Sequence, residues 1–383
     1  MLRIEKLVYG GDGLAREEGR VILTPFVLPG ELVQADVVRA KNDLLRGKLR
    51  AVLEPAPQRV DARCPYYLRC GGCHYQHASY EFEADQKRTI LREVLRRVGR
   101  IDYSDEIGLV TADPWQYRNR TQLHIRNGEI GYFAAGSHTL VPIRECPISS
   151  PKLNEAIASL ARDLPQYRWF DGSIELFTNE IDVQVNLLDR VPASVRPLFE
   201  AIGTGDAIEY AGFRVSRNSF FQVNRFLLDQ LVAAALGDAQ GSQAVDLYAG
   251  AGLFAKAMST RFEKVVAVES GGSAVRDLEF NVPAVKALRM NAEDYLASLA
   301  EPPDVIVADP PRTGLGKTAI RELIRLQAAA ITLVSCDPAT LARDLAPLLQ
   351  NGYRIARITV VDLFPRTFHL ETVASLVRGS AQN

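Results

Sequence analysis

The chain has 383 residues, of which 45 are basic and 46 are acidic, so its formal net charge is −1. Hydrophobic residues make up 47% and charged residues 24%, which supports a sizeable core and excludes a disordered or collagen-like chain. A near-neutral chain does not coat nucleic acid by bulk charge, so a nucleic-acid role would need a local surface. At about 100–200 residues per domain, the length indicates two or three domains.

The sequence contains no apolar run of about 18 residues, and its first residues lack the apolar core of a signal peptide. We therefore expect no membrane association, a cytoplasmic location and a monomer. In a reducing compartment, the five cysteines are expected to bind metal or to act in catalysis rather than to form disulfides.

Short β-prone runs alternate with glycine turns at the start of the chain, the first turn being Gly10–Gly13. This spacing predicts a small antiparallel β-barrel. A proline-containing linker follows, so we place the first domain at 1–57. Alternating strand-like and helical pieces then indicate a middle α+β domain at 58–214, and a third domain occupies 215–383.

A helix is predicted from about Ser79 to Val98, with Ser79 as its N-cap and Gly99 as its stop. One face is apolar. The opposite face carries five basic side chains: Lys87, Arg88, Arg92, Arg96 and Arg97. A solvated helix face is the simplest interpretation of these charges, and contact with RNA is the alternative.

From about residue 215 the pattern repeats strand, glycine loop and helix, which predicts an α/β fold with a parallel sheet covered by helices on both faces. The predicted strands are Ala244–Tyr248, Lys264–Val268, Asp304–Ala308 and Ile331–Ser335. Ligands bind at the carboxyl ends of the strands in such sheets, so we expect the chemistry at that edge.

A glycine loop containing Gly250 and Gly252 follows the first of these strands, and Glu269 ends the next one. Glycines let the backbone approach a ligand closely, and a carboxylate at the second position can bind both ribose hydroxyls of an adenosine. Ala255 replaces the third glycine of the dinucleotide fingerprint, and no Walker lysine is present. The pattern therefore favours S-adenosylmethionine over NAD, and a purely structural turn is the alternative.

Two of the predicted strands end in reactive residues, because Asp309 follows one strand and Cys336 follows another. A lone cysteine in an apolar strand is usually a small buried hydrophobe. At the strand end, facing a cofactor, it is a candidate nucleophile. Glu371, late in the chain, is either a surface acid or a general base, and its spacing does not decide between the two.

The other four cysteines follow the spacing Cys64-x5-Cys70-x2-Cys73, with Cys146 far downstream. Four thiolates suit either a zinc ion or an iron–sulfur cluster. The spacing is not that of a common zinc ribbon, nor that of a radical S-adenosylmethionine enzyme. The glycine pair between Cys70 and Cys73 would let the backbone wrap around a cluster, so [4Fe–4S] is narrowly favoured over zinc.

Together these motifs resemble the RNA 5-methyluridine methyltransferase family, in the class that carries a TRAM domain and an iron–sulfur cluster. The resemblance covers nearly the whole chain. Its most specific segments are Cys70–His77, Ser219–Asn224, Asp309–Gly314, Ser335–Asp344 and Phe364–Glu371. The fold that it implies is a class I, Rossmann-like methyltransferase domain with an N-terminal TRAM/OB-like barrel and a middle α+β domain carrying an iron–sulfur knot.

The resemblance also implies roles for single residues. Cys336 would attack C6 of a uracil, and Glu371 would remove the proton from C5. The residues expected to contact S-adenosylmethionine or to lie beside it are Gln222, Tyr248, Gly250, Gly252, Glu269, Asn291 and Asp309. The [4Fe–4S] ligands would be Cys64, Cys70, Cys73 and Cys146. The partner would be structured RNA, with 23S ribosomal RNA favoured and transfer RNA as the alternative.

Other activities fit the sequence less well. Amino-group methyltransferases stack the target base on an aromatic residue at the position of Arg312 and do not need Cys336. Cytosine-C5 methyltransferases carry their cysteine in the motif after the third strand, where this chain has none. A non-catalytic RNA-binding factor would have no need to retain Cys336 and Glu371. A zinc protein with a small-molecule methyltransferase domain leaves the N-terminal barrel unexplained.

Overall fold

The structure is a computed structural model that describes residues 1–39, 44–203 and 205–379. Its N-terminal strands are β1 (Leu2–Arg3), β2 (Lys6–Leu7), β3 (Asp12–Glu17), β4 (Arg20–Pro25), β5 (Leu32–Arg39) and β6 (Leu45–Glu54). They form one sheet in the order β1-β5-β6-β4-β3-β2. Because β1 pairs with β5, β2 pairs with β3, and only Ile4 and Glu5 separate β1 from β2, this short segment joins the two ends of the sheet. The N-terminal region is therefore almost entirely sheet. The prediction that its strands pair antiparallel was wrong for β4 and β6, which pair in parallel.

The middle of the chain is built on an antiparallel sheet backed by a helix. Its elements are α1 (Tyr80–Val94), β7 (Ile107–Val110), β8 (Arg120–Arg126), β9 (Glu129–Phe133), β10 (Leu140–Pro142), α2 (Pro151–Asp163), β11 (Gly172–Thr178), β12 (Val183–Leu187), α3 (Arg196–Glu200), β13 (Ala207–Tyr210) and β14 (Phe213–Ser216). The sheet order is β10-β9-β8-β11-β12. Leu153, Ile157 and Leu160 of α2 pack against Leu123 and Ile174 of the sheet in one buried core.

An eight-stranded sheet forms the C-terminal region. Its elements are α4 (Leu228–Leu236), β15 (Gly241–Leu247), α5 (Leu253–Met258), β16 (Phe262–Glu269), α6 (Gly272–Asn281), β17 (Lys286–Arg289), α7 (Ala292–Ser298), β18 (Val305–Ala308), α8 (Gly316–Leu326), β19 (Ala330–Ser335), α9 (Pro338–Gln350), β20 (Tyr353–Val361) and β21 (Glu371–Arg378). The order is β17-β16-β15-β18-β19-β21-β20-β7. Among the described segments, no helix combines the length and the apolar content needed to cross a membrane.

The prediction of a parallel sheet covered on both faces is confirmed for the strands from β15 to β19, which all pair in parallel. Ile306 and Ala308 of β18 lie in one core, whereas Val305 and Val307 lie in the core on the opposite face. The last part of the sheet differs, because β21 runs antiparallel to both β19 and β20. A loop of nine residues, 362–370, joins β20 to β21, and such a short connection suits antiparallel pairing.

Helix α1 begins and ends close to the predicted positions. The Ser79 hydroxyl accepts a hydrogen bond from the backbone N–H of Phe82 at 3.4 Å, as an N-cap does. The helix continues as a π-helical turn over Leu95–Gly99, which Arg100 ends with a φ of 55°. A Cβ at Gly99 would lie 2.8 Å from the Ala342 carbonyl oxygen, so glycine permits close packing of this turn against α9.

The prediction that the basic face of α1 is solvated was wrong at Lys87, whose side chain is fully buried. Its ammonium lies 2.8 Å from Asp362 Oδ1 and 3.1 Å from Glu83 Oε1, and it donates to the Phe364 carbonyl. Glu83 also accepts the backbone N–H of Arg366 at 2.6 Å. The Asp362 partner is 275 residues away in sequence, so the helix pattern did not contain it.

We predict that Lys87→Met lowers the free energy of unfolding by about 3–5 kcal/mol, because it leaves buried carboxylates without their cation. Arg96→Met is the matched control, since Arg96 is exposed on the adjoining helical turn and should change stability by no more than about 0.5 kcal/mol. Urea denaturation of both variants measures the difference. Equal losses would contradict a structural role for the Lys87 ion pairs.

Candidate active site

The carboxyl edge of the large sheet brings together the residues predicted to do chemistry. The antiparallel register of β19 and β21 pairs Ser335 with Thr372. Cys336 and Glu371 each lie one residue beyond this pair, and the Glu371 charge acts on the Cys336 thiol. Asp309 follows the neighbouring strand β18, and its backbone N–H donates to the Leu247 carbonyl at the end of β15. The candidate nucleophile and the candidate base thus lie at the same edge, near each other.

Burial and nearby charges set the pKa of the Cys336 thiol. Burial, followed by the charges of Glu371 and Asp309, raises the pKa of Cys336 to about 11, although the Arg312 guanidinium lowers it. Arg312 also donates to Nδ1 of His369 at 2.8 Å. Burial and the Arg312 charge lower the pKa of His369 to about 3, so this imidazole is neutral and can accept that bond. Arg312 is therefore a cation that its hydrogen bond to His369 positions near the Cys336 thiol.

Two carboxyl groups share the same buried edge. Glu371 is only 4% exposed, and burial, followed by the Asp309 charge, holds its pKa well above the usual range. Burial raises the pKa of Asp309 to about 7. A carboxylate with a raised pKa is a stronger base than an ordinary one, which suits removal of a proton from carbon.

A small cavity of about 30 Å³ lies between the glycine loop and the segment 220–222, and it is lined in part by Gln222, Tyr248, Gly250 and Asp309. Gln222 is buried, and its side-chain amide donates to Asp309 Oδ2 at 3.5 Å. The structure therefore brings these four predicted residues together around one cavity at the carboxyl edge of the sheet, the edge that also carries Cys336.

Glu269 folds back onto the glycine loop. Its two carboxylate oxygens accept the backbone N–H groups of Gly250 at 3.0 Å and Gly271 at 2.6 Å. Each carboxylate oxygen can accept a second hydrogen bond, so acceptor positions remain for ribose hydroxyls. Asn291 lies next along this edge, exposed, as the N-cap residue of α7.

Three residues without a role in the sequence-based predictions also contribute to the site. Asp246, at the same edge, is fully buried and accepts the backbone N–H of Ala255 at 2.8 Å, so it supports the start of α5. His369 and Tyr9 also lie close to the reacting groups. His369 could have been found from its place two residues before Glu371 in the last motif. Tyr9 lies at the other end of the chain and has no local signal.

The two glycines of the loop have different tasks. A Cβ at Gly252, where φ is +98°, would lie 2.8 Å from Leu278 Cδ1 and 3.0 Å from Val282 Cγ2. A Cβ at Gly250, where φ is +54°, would meet only the Phe220 carbonyl oxygen at 4.0 Å. Gly252 therefore allows both an unusual backbone conformation and close packing of α6, whereas Gly250 leaves space for a ligand.

We predict that Gly252→Ala destabilises the protein by more than about 2 kcal/mol, because it adds backbone strain and a clash. Gly250→Ala should cost only about 1 kcal/mol, since its φ lies in the left-handed region that other residues can enter. Thermal unfolding of the two variants without ligand measures this. A larger loss for Gly250→Ala would contradict the assignment.

The four remaining cysteines surround one cavity of about 70 Å³, which Gln76, Arg118 and Tyr132 also line. Burial raises the pKa of Cys70 to about 11 and that of Cys73 further, and Cys146 lies close enough to raise both. Within residues 1–39, 44–203 and 205–379, no three His, Cys, Asp or Glu side chains are arranged to hold a metal ion. The thiols thus share a cavity without meeting at one point.

Known proteins resemble this chain over nearly its whole length. Residues 207–378 match the tRNA (uracil-5-)-methyltransferase family. Proteins described as RNA methyltransferases from Aquifex aeolicus and Listeria innocua are each 30% identical, over 98% of this chain and 97% of their own length. The structure of Pyrococcus abyssi tRNA (uracil-54, C5)-methyltransferase with S-adenosyl-L-homocysteine is 25% identical, with a TM-score of 0.77, and covers 98% of this chain and 100% of its own.

Proposed function

The chain belongs to the RNA uracil-5-methyltransferase family, and on that premise we propose that it methylates C5 of a uridine in RNA through a covalent adduct with Cys336. The observation that carries this proposal is that Cys336 lies at the same sheet edge as Glu371 and Asp309, whose charges act on its thiol. A thiol and a carboxylate at one edge can act on the two adjacent carbons of one pyrimidine ring.

The chemistry follows from the weak nucleophilicity of uracil C5. The Cys336 thiolate adds to C6, which breaks the C5–C6 double bond and leaves an enolate-like C5. S-Adenosylmethionine, when bound, supplies the methyl group that this C5 takes, and the broken S–CH3 bond leaves S-adenosylhomocysteine. Glu371 then removes the C5 proton, the C5–C6 double bond forms again, and the C6–S bond breaks to release the thiolate. Arg312 favours the thiolate at the start and at the end of this sequence.

The glycine loop and its neighbours are proposed to hold S-adenosylmethionine. Glu269 would accept the ribose hydroxyls with its remaining lone pairs, and Gly250 would let the ligand approach the backbone. Gln222 and Tyr248 would lie beside the cofactor on the cavity side, and Asn291 next to its adenosine. Asp309, bonded to Gln222, would orient the cofactor or the target base.

The target uridine must leave its stack to reach the half-buried Cys336, at a cost of a few kcal/mol. We propose 23S ribosomal RNA as the substrate. The N-terminal strands together with the cysteine spacing resemble one class of the family, and the members of that class act mainly on that RNA. Transfer RNA is the second candidate, since the Pyrococcus abyssi relative is described as acting on uracil 54 of tRNA.

One experiment separates these substrates. The protein is given methyl-labelled S-adenosylmethionine and, in parallel reactions, ribosomal and transfer RNA lacking 5-methyluridine, followed by nucleoside analysis. We expect labelled 5-methyluridine in the ribosomal RNA. Label in transfer RNA alone would reassign the substrate, and labelled 5-methylcytidine or no label would refute the proposed function.

We predict that Cys336→Ala lowers turnover by at least about 10³-fold and forms no covalent adduct with RNA containing 5-fluorouridine. Glu371→Gln should lower turnover by about 10²–10⁴-fold and accumulate a methylated adduct with ordinary RNA, because the proton at C5 stays in place. Denaturing gels that retain protein–RNA adducts measure both effects. An adduct in the Cys336→Ala variant would rule out this nucleophile.

We also propose that Cys64, Cys70, Cys73 and Cys146 hold a [4Fe–4S] cluster. The four thiols line a shared cavity of about 70 Å³, so they offer four thiolate ligands around one space, as such a cluster needs. The methylation chemistry contains no electron transfer, so the cluster's role would be structural or in positioning RNA.

Metal analysis after anaerobic purification tests this assignment. We expect about four iron atoms and visible iron–sulfur absorbance per chain, and Cys73→Ser should lose both, because its thiol is the most buried of the set. Cys336→Ser is the matched control and should keep its iron. Stoichiometric zinc without iron would overturn the cluster assignment and leave the methyltransferase proposal intact.

A further inference from the structure

One side chain of the N-terminal barrel reaches the catalytic edge of the large sheet. Tyr9 lies two residues after β2, and its hydroxyl donates to Asp337 Oδ2 at 3.1 Å, a contact across 328 residues of sequence. Asp337 is the residue immediately after Cys336. The barrel therefore touches the turn that carries the proposed nucleophile.

Asp337 is already the residue that shapes this turn. Its other carboxylate oxygen accepts the backbone N–H groups of Ala339 and Thr340, each at 2.9 Å, and so caps α9. Its own backbone N–H donates to the Ser335 hydroxyl at 3.3 Å. With one carboxylate oxygen committed to the helix, the second is free to accept Tyr9. The turn that carries Cys336 is thus stabilised by two sets of hydrogen bonds. One set is the Asp337 cap of α9, and the other is the bond from Tyr9.

The ring of Tyr9 contacts the second catalytic loop. It packs edge-on against Phe368, with ring centroids 5.6 Å apart. Phe368 lies against His369 with centroids 4.3 Å apart, and His369 accepts the hydrogen bond from Arg312. Phe368 is three residues before Glu371. One tyrosine therefore contacts the loop that leads to the base and the turn that carries the nucleophile.

We propose that Tyr9 is a positioning residue for methyl transfer, which holds the Cys336 turn and the 364–371 loop in register through its hydroxyl and its ring. This inference rests on the proposed function and extends it, because it gives a residue of the N-terminal region a part in positioning the catalytic residues. A displacement of about 1 Å between reacting groups can cost up to about 10²-fold in rate, so a contact of this kind has a measurable effect.

The test compares Tyr9→Phe with Tyr353→Phe. Both variants remove one hydroxyl and keep the ring. Tyr353 is a fair control, because its buried hydroxyl donates to the Ala328 carbonyl at 2.9 Å, away from the catalytic edge. We expect Tyr9→Phe to lower kcat about tenfold with the KM for RNA unchanged within twofold, and Tyr353→Phe to leave both unchanged within twofold.

A second measurement does not depend on RNA methylation. Alkylation of Cys336 by iodoacetamide at pH 8, followed by mass spectrometry of its peptide, reports how firmly the turn is held. Burial is the largest influence on the pKa of the Cys336 thiol. A loosened turn would expose this thiol, so the thiol should react faster. We expect at least a threefold higher rate for Tyr9→Phe and no change for Tyr353→Phe.

The two readouts separate the possible failures. If wild-type protein methylates no RNA, the proposed function fails, and the alkylation rates still decide whether Tyr9 holds the turn. If Tyr9→Phe matches Tyr353→Phe in kcat and in alkylation, Tyr9 has no positioning role. If Tyr9→Phe raises only the KM for RNA, Tyr9 contacts the substrate and the proposal is wrong.

Discussion

A buried ion network between α1 and the 362–370 loop supports the catalytic edge. Lys87 and Glu83 have no exposed side-chain surface, and together with Asp362 they form ion pairs within 3.1 Å. Glu83 also receives the backbone of Arg366. Buried charges add little net stability, but removing one partner is costly, so such a network specifies a single arrangement. The loop has no regular structure of its own, and it leads directly to Glu371.

At that edge, burial changes the pKa values of the reacting groups more than any single neighbouring charge does. Burial raises the pKa of Cys336, Glu371 and Asp309, so it opposes the thiolate and carboxylate forms that the reaction needs. Arg312, held by neutral His369, is the cation that opposes this tendency. A site of this kind is poised to change protonation when a ligand enters, because neighbouring charges have strong effects where water is excluded.

The N-terminal half of the chain contributes to the same loop by two routes. The backbone N–H groups of His74 and Tyr75, which follow Cys73, both donate to the Arg366 carbonyl at 2.7 and 3.1 Å. The N-terminal sheet region adds the contact of Tyr9 with Phe368. Loss of order around the cysteines or this sheet region would therefore reach Glu371 through the backbone of one loop, without any electron transfer.

The sequence alone determined the β-rich start of the chain, helix α1, the parallel strands and the residue types at their ends, because alternation, helical period and glycine turns are local. Residue chemistry and motif order singled out Cys336 and Glu371. Only the tertiary structure decided that β21 runs antiparallel, which brings those two residues to the same edge of the sheet, and that Lys87 is buried against Asp362. Such contacts join residues hundreds of positions apart, so they depend on how the elements pack and leave no periodic trace in the sequence.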